Sequence, residues 1–484
     1  MIVASPPYFL WVRASAPSGL NARPACEENE TVKSFTISEV IDSFGVNKFT
    51  WSVFFFLGMS MVFDGYDYMV VSYTMPQISA EWALNKVQTG SLSSWSLFGL
   101  IIGGACAGII SDRIGRRKTL IYSIAAYSLL TVPIYFSTSF GQFALFRVMA
   151  GVGLGACIPV VTTIFSESTP TAHRALFITF GMAWMIVGWV LGGLIPTLLV
   201  PHYGWRVCYL IGGVPFLYAV FLYLRMRESA YWLANKGHKK EAIEILAYIE
   251  KQATGRVTAR HPDDLVVPPA PAIVGPRALF SKDYRMITAG VWITYFCGCF
   301  TVYGLNAWLP SLMLEKGFKL ASAYSLAIAN NGAAVIANCS TGFVAEIIGR
   351  RRNLIMSYLL GGISIVLMAF VNGGFAAILA VSIFMGFAIN YAITAVQPLM
   401  AEGYPTEFRN TGVSWCQAFG RVGGALAPIV SGAIMGMQLG LKISFLFYVI
   451  PAVVGALAAF LFIRKETKGK SLDQLAREMS IAGR

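Results

Sequence analysis

Long apolar runs, separated by short polar connections, dominate the chain. A helix needs about 20 predominantly apolar residues to cross the hydrocarbon core of a membrane, and twelve segments are long enough. We predict twelve transmembrane helices, called spans 1 to 12, at residues 49–76, 88–110, 119–137, 141–166, 174–200, 205–224, 286–314, 321–345, 353–371, 375–401, 410–437 and 443–463. The pattern therefore predicts an all-α membrane protein.

Polar segments divide these spans into two sets of six. We predict an N-terminal arm, a first six-helix bundle, a linker, a second six-helix bundle and a tail, at residues 1–47, 48–224, 225–285, 286–464 and 465–484. Within the linker, His238 to Gln252 has the pattern of a short amphipathic helix. Whether the first ~26 residues belong to the mature chain stays open, because Ala14-Ser15-Ala16 faintly resembles a signal-peptide cleavage site.

Composition excludes a water-soluble globule. Hydrophobic residues make up 56% of the chain and charged residues 13%, whereas soluble domains carry about 25% charged residues. The net charge of +13 does not indicate nucleic-acid binding here, because positively charged cytoplasmic loops explain it. The eight cysteines include no CxxC pair, so we interpret them as small buried apolar side chains and expect no metal site and no cofactor.

Positive charge is distributed unevenly between the two sides of the predicted bundle. The side that holds both termini carries 30 Lys and Arg residues, and the other side carries five. Arg147 and Arg421 lie inside spans. Because Lys and Arg concentrate on cytoplasmic loops, we expect a multi-pass protein of the cell membrane with both termini in the cytoplasm.

Two motifs occur once in each set of six spans. A Glu-x-x-Pro-Thr-x-x-Arg motif begins at Glu167 and again at Glu402, an offset of 402 − 167 = 235. A ten-residue motif begins at Gly108 and again at Gly342, an offset of 342 − 108 = 234. Two matches at nearly one offset predict two homologous halves in parallel orientation, which is an architecture of alternating-access carriers.

The same motifs carry a family resemblance. Residues 108–118 resemble the signature loop of the major facilitator superfamily, and Arg147 with Gly151, Gly153 and Gly155 resembles its fourth-span motif. The resemblance covers about residues 48–475. It implies the major facilitator fold, with its twelve helices in two pseudo-symmetric six-helix bundles.

A narrower resemblance concerns spans 1 and 7. Asp64-Gly65-Tyr66-Asp67 resembles the Asp-Gly-x-Asp motif of the aromatic acid:proton symporters, and residues 303–310 look like the benzoate-type members. This resemblance implies a secondary transporter, not an enzyme, that imports a small aromatic carboxylate with protons. Two alternatives stay open: a sugar-porter-like or other organic-solute carrier of the same fold, and a non-transporting nutrient sensor. We expect a monomer in the lipid bilayer.

Only four charged residues lie deep inside predicted spans: Asp64, Asp67, Arg147 and Arg421. Deep charges are costly unless paired or hydrated, so they are candidates for function. Asp67 and Arg147 each lie 19 residues from the cytoplasmic end of their span, or about 28 Å at the helical rise. They could therefore form a pair, either a static salt bridge or, with Asp64, a proton-coupling site.

Arg421 is the candidate for binding the substrate. No acid of the second half lies at a similar depth, and a guanidinium binds a carboxylate through two parallel hydrogen bonds. The alternative is an arginine satisfied by helix ends or by Gln417. The four deep charges sum to zero, so one anion entering with one proton preserves neutrality.

Further predicted substrate contacts are polar or aromatic residues of the second half, although each aromatic could serve only in packing or at the membrane interface. They are Tyr303, Asn306, Trp308, Asn330, Asn331, Tyr391, Gln397 and Gln417.

Charged residues at the ends of the spans are gating candidates, although membrane topology alone could explain the basic ones. They are Asp112, Arg113, Arg116, Arg117, Glu167, Arg174, Glu346, Glu402 and Arg409. The resemblance implies that Asp112 latches onto the start of span 11 in one conformation, near Arg409 to Gly412. Its counterpart in the second half is Glu346, and the following arginine is replaced by Ile347.

Overall fold

The computed structural model describes residues 34–267, 276–282, 284–404 and 409–463. Several predicted features lie outside these residues: the arm before residue 34, part of the linker, Pro405 and Thr406 of the second repeat, and the tail 465–484. Within the described residues, twelve helices are long and apolar enough to cross a membrane. They are Lys48–Glu81, Lys86–Ile114, Arg116–Phe136, Phe140–Ser168, Leu176–Tyr203, Arg206–Arg225, Arg285–Glu315, Leu320–Ile348, Arg350–Phe370, Phe375–Met400, Thr411–Gly436 and Leu441–Phe462.

These helices confirm the twelve predicted spans, most of them to within a few residues. Span 1 was predicted too short, because its helix continues past Pro76 to Glu81. A proline is tolerated inside a membrane helix where neighbouring groups satisfy the freed backbone, so Pro76 does not end this helix.

Prolines and glycines divide several spans into shorter helical pieces. In span 3, the α-helix Arg116–Thr131 passes into a 3₁₀ turn that carries Pro133. Spans 6, 10 and 12 contain the helix pairs Arg206–Ile211 and Val214–Arg225, Phe375–Ala395 and Gln397–Glu402, and Leu441–Leu446 and Val449–Phe462. Pro215 and Pro398 stand at the second position of the helices Val214–Arg225 and Gln397–Glu402, where the missing N–H costs no helical hydrogen bond.

Glycines let spans 2 and 4 approach closely. A Cβ at Gly151 would lie 2.2 Å from the backbone oxygen of Ser96, and one at Gly155 would lie 2.3 Å from that of Leu100. Small residues allow membrane helices to pack backbone to backbone. The glycines after Arg147 therefore fix span 4 against span 2, which sets the position of Arg147 itself.

Outside the membrane, the arm and the linker pack together. The predicted amphipathic helix is present as Lys239–Thr254, and the arm contributes the helix Ile37–Ser43, which begins with a capping box between Thr36 and Glu39. Ile37 and Ile41 of the arm share a buried apolar cluster with linker residues. This apolar contact holds the arm, and with it the start of span 1, against the linker between the two halves.

The cysteine prediction is only partly correct. The seven described cysteines are free and five are buried, but Cys106 and Cys339 are exposed at the protein surface. A helix face that meets lipid is itself apolar, so a cysteine in an apolar run can lie on that face as readily as in the interior.

The two halves are closed against each other at one side of the bundle. We call the side where span 1 begins and span 12 ends the terminal face, and the other side the opposite face. Near the opposite face, a Cβ at Gly432 would lie 2.2 Å from the backbone oxygen of Lys86. Lys86 also forms an ion pair with Glu315, and the Tyr324 hydroxyl donates to the backbone oxygen of Tyr73. Spans 1, 2, 7, 8 and 11 therefore meet here.

Candidate functional site

Asp67 and Arg147 form a buried ion pair inside the first half. Arg147 Nη1 donates to Asp67 Oδ2 at 2.9 Å, and Nη2 donates to the backbone oxygen of Asp67 at 3.1 Å. Thr131 Oγ1 donates to Asp67 Oδ1 at 3.0 Å. The side chains of Arg147 and Asp67 are 0% and 2% exposed. Each carboxylate oxygen of Asp67 thus has a donor, and the pair is held by three spans.

Asp64 lies one turn before Asp67 and has a different environment. It is buried, yet its carboxylate has no hydrogen-bond donor among the described residues. Gly65 beside it brings spans 1 and 5 into backbone contact, since a Cβ there would lie 2.1 Å from the Met185 oxygen. Asp64 forms no ion pair among the described residues. Two charges act on its carboxylate, first that of Asp67 on the same helix and then that of Arg421, which belongs to the other half of the protein.

Arg421 reaches from span 11 across the boundary between the halves. A Cβ built on Gly104 of span 2 would lie 2.6 Å from Arg421 Nη1. The sequence predicted an unpaired guanidinium because the second half has no acid at its depth. Among the described residues the guanidinium indeed has no ion pair and no hydrogen bond, and the acid that its charge acts on, Asp64, belongs to the first half.

Aromatic rings line the same region. Tyr68 of span 1 and Tyr303 of span 7 make an edge-to-face contact with ring centroids 5.2 Å apart, and Trp189 of span 5 lies 6.4 Å from Tyr68. Tyr303 interacts electrostatically with both Arg421 and Asp64. Rings that surround a charged group in this way suit an aromatic ligand with one anionic group.

Tyr68 and Trp189 were missed as site residues by the sequence analysis. The Tyr68 hydroxyl and the Trp189 Nε1 are buried without a hydrogen-bond partner among the described residues, so both have a free polar atom in the interior. One signal was available for Tyr68, because it follows Asp64 by four residues and shares its helix face.

Three predicted amides cluster between spans 7 and 8. Asn330 Nδ2 donates to Asn306 Oδ1 at 3.1 Å, and Asn331 Nδ2 lies 3.5 Å from the hydroxyl of Tyr73 in span 1. Asn306 Nδ2, Asn330 Oδ1 and Asn331 Oδ1 are buried without a partner among the described residues. This cluster joins the halves on the closed side of the site.

The remaining predicted substrate contacts lie in varied settings. Trp308 Nε1 donates to the Pro428 oxygen at 2.9 Å, beside the closed contact of spans 2 and 11. Tyr391 donates to Asn353 Oδ1 at 2.7 Å. Gln397 is exposed at the end of span 10, and Gln417 is half-buried one turn before Arg421. A role for these four residues in binding stays a prediction.

The sequence of the chain matches the pattern that defines the Major Facilitator Superfamily over residues 57–337 and 320–480. The chain belongs to the major facilitator superfamily. The resemblance of the signature loop and of span 4 is thereby confirmed, as is the all-α fold of twelve membrane helices.

Relatives within the superfamily extend over nearly the whole chain. It is 30% identical to a gallate transporter of Pseudomonas putida over 428 residues, which is 87% of this chain and 94% of the relative. It is 29% identical to a benzoate transport protein of Acinetobacter baylyi, covering 89% and 93%. It is 28% identical to a niacin transporter of the same species, covering 90% and 98%.

A solved structure of the superfamily shares the fold. The inward-open conformation of the xylose transporter XylE from E. coli aligns with a TM-score of 0.69 at 18% identity, covering 89% of this chain and 99% of that one. At this identity the likeness concerns the fold alone.

The superfamily signature loop forms ion pairs within its own half. Arg116 binds Asp112 at 2.7 Å and Glu167 at 3.3 Å. The second half repeats the latter contact, since Arg350 lies 3.4 Å from Glu402 at the offsets found in the sequence. Among the described residues, the Asp112 carboxylate pairs with Arg116 and not with the start of span 11.

The other gating candidates lie around these pairs. Arg117 donates to the backbone oxygen of Tyr223, and Arg409 Nε donates to that of Tyr404 at 3.4 Å. Arg174 begins the helix of span 5, whereas Arg113 and Glu346 are exposed.

Proposed function

We propose that this protein imports a small aromatic carboxylate together with protons by alternating access. The relatives named above transport gallate, benzoate and niacin by their names, and others are 4-hydroxybenzoate transporters. Benzoate, gallate and 4-hydroxybenzoate are aromatic rings with one carboxylate. The substrate class follows from this shared chemistry, together with the rings that surround Arg421.

One observation supports the coupling most directly: Arg421 crosses between the halves and interacts with Asp64. A substrate carboxylate that binds Arg421 replaces Asp64 as its counter-charge. Asp64 is then a buried anion without a partner, which favours its neutral, protonated form. Anion and proton therefore enter together, and the charge of the site stays zero.

The closed contacts at the opposite face support alternating access. They leave the substrate site to open toward the terminal face, which we assign to the cytoplasm from the charge of the loops. The structure then corresponds to the state that releases substrate inside the cell. Rocking of the halves would open spans 1, 2, 7, 8 and 11 on the outside.

Uptake into proteoliposomes tests this proposal. With an inward proton gradient, the purified protein should accumulate labelled benzoate, gallate or 4-hydroxybenzoate, and a protonophore should abolish the accumulation. Benzamide, which lacks the carboxylate, should not compete. Arg421→Lys should fail as well, because lysine keeps the charge but loses the planar fork.

Arg421→Gln removes the charge as well, and its loss of benzoate binding free energy should be about 2–5 kcal/mol, the usual effect of removing one partner of a desolvated charged pair. Competition by xylose but not by benzoate would instead favour the sugar-carrier alternative. Binding without any uptake would favour the nutrient sensor.

A further inference from the structure

A cavity of about 220 Å³ lies at the terminal face, away from Asp64 and Arg421. The ends of spans 1, 3, 4 and 6 and the linker helix Lys239–Thr254 surround it. Its walls carry the arginines 116, 117, 225 and 227 and the acids Glu167 and Glu228. The four arginines and two acids give the lining a formal net charge of +2.

The acids of the cavity are already engaged. Glu167 pairs with Arg116 at 3.3 Å. Glu228 Oε1 accepts the backbone N–H groups of Arg117 and Ser229 at 2.9 and 3.0 Å. Glu167 is thus neutralised by Arg116, whereas Glu228 keeps its negative charge. Arg117, Arg225 and Arg227 exceed that one charge by two, and their guanidinium groups remain the donors of the cavity.

The other arginines have guanidinium groups to offer. Arg225 has no ion pair or hydrogen bond among the described residues. Arg227 stacks on the ring of Tyr248 with its Cζ 3.9 Å from the centroid, a contact that leaves the N–H edge free. Arg117 Nε is buried without a partner within the described part of the chain. Such a group of donors suits a phosphate.

An apolar surface leads up to this cavity. Leu217, Phe221 and Leu224 follow one another at helical spacing on span 6 and are 70%, 41% and 73% exposed. Leu224 lines an adjoining surface cavity that shares Arg117, Arg225 and Arg227 with the first one. In a membrane this column faces the acyl chains, so a lipid lying against it would place its headgroup among the arginines.

We propose that this cavity binds the phosphate of an anionic glycerophospholipid, held by Arg117, Arg225 and Arg227. The assignment to the cytoplasmic leaflet, where anionic lipids concentrate, rests on the orientation in the proposed function. The phosphate site itself does not depend on what the protein transports. A bound headgroup would join the linker helix to spans 3 and 6, beside the Arg116–Glu167 pair.

Native mass spectrometry of the delipidated full-length protein, titrated with phosphatidylglycerol or phosphatidylcholine, tests the proposal. The native protein should bind its first phosphatidylglycerol about 10- to 30-fold more tightly than phosphatidylcholine, since each nearby basic residue contributes about a fivefold factor. Arg225→Gln with Arg227→Gln should remove this preference. The matched control is Lys236→Gln with Lys240→Gln, which removes the same charge from exposed positions outside the cavity and should keep it.

A parallel titration with inorganic phosphate separates the two sources of the anion. Displacement of phosphatidylglycerol by millimolar phosphate, or equal binding of both lipids, would overturn the lipid assignment. Equal phosphatidylglycerol binding by both double variants would overturn the site altogether. Unfolding temperatures of the variants show whether they fold, and the single variant Arg225→Gln replaces the pair if it does not. Benzoate uptake measured on the same samples keeps the outcome separate from that of the proposed function.

Discussion

Asp64 and Asp67 lie one turn apart on span 1, but their counter-charges come from different places. Asp67 has its arginine, Arg147, inside the same half, together with a hydroxyl donor from span 3. Asp64 has no hydrogen-bond donor among the described residues, and it interacts with Arg421 of the other half. Asp67 thus has its counter-charge within one bundle, whereas the cation that acts on Asp64 lies across the boundary between the bundles and forms no ion pair with it.

We propose that this difference separates a structural role for Asp67 from a transport role for Asp64. Rocking of the halves leaves the geometry inside each half intact, so Asp67 and Arg147 move as one body. The distance between Asp64 and Arg421 depends on the relative position of the halves and on any anion between them. We therefore assign proton coupling to Asp64 first and give Asp67 the task of holding Arg147 and the site in place.

The largest expected effect comes from breaking the pair inside the first half. Asp67→Asn leaves Arg147 buried and uncompensated, which should lower the stability by about 3–5 kcal/mol. Thermal unfolding in detergent measures this loss. Asp64→Asn should unfold within a few degrees of the native protein, because it removes no hydrogen bond.

A second substitution checks that prediction. Asp67→Asn combined with Arg147→Gln removes both charges and should recover much of the lost stability. Equal destabilisation by Asp64→Asn and Asp67→Asn would contradict the difference drawn between the two carboxylates.

The next effect concerns the position of Arg421. Gly104→Ala places a methyl group 2.6 Å from Arg421 Nη1, so the guanidinium must shift. The end of a flexible side chain moves at little cost to stability, but a displaced guanidinium loses its alignment with the carboxylate. Losing one hydrogen bond to a charged group costs about 1.5–3 kcal/mol, which should weaken benzoate binding by roughly 10- to 150-fold. Gly108→Ala is the matched control on the same helix, because nothing lies within 4 Å of its added Cβ. Equal affinities of the two variants would place the bound carboxylate away from Arg421.

The smallest effect should come from the signature loop. Asp112 is 70% exposed on its side chain and pairs with Arg116, and exposed pairs contribute only about 0.2–1 kcal/mol. Asp112→Asn should slow turnover while substrate affinity stays within a few-fold, because the loop only biases two conformations. Counterflow rates and equilibrium binding measured on one preparation check this. A large loss of binding with normal turnover would contradict the gating role.

Much of the fold was predictable because the signals are local. The length of the apolar runs located the spans, and two motifs that recur at nearly the same offset identified the two halves. The Asp67–Arg147 pair was predictable from depth along the helices. Both residues belong to one bundle and lie equally far from the cytoplasmic ends of their spans. The end of span 1 was predicted too early, because the helix runs on past Pro76 and the tolerance of a proline depends on neighbouring helices.

The site itself was less predictable, because it forms between the bundles. Nothing in the sequence around Arg421 indicates that its side chain crosses to Gly104 in span 2 of the first half, since that contact depends on how the two halves dock. Tyr68 was overlooked for the same reason: its partner ring, Tyr303, belongs to the other half. Trp308 was predicted as an aromatic wall of the site. Its indole Nε1 donates to a backbone oxygen at the closed contact, and its role in binding stays a prediction.

We propose that Asp64 carries the coupled proton. A comparison of two modes of transport in Asp64→Asn tests this proposal. Accumulation of labelled benzoate driven by a proton gradient requires the proton to be taken up and released. Exchange of labelled for unlabelled benzoate at equal pH requires only binding and rocking. We expect Asp64→Asn to lose accumulation and to retain exchange. Accumulation at the native level in this variant would contradict the proposal.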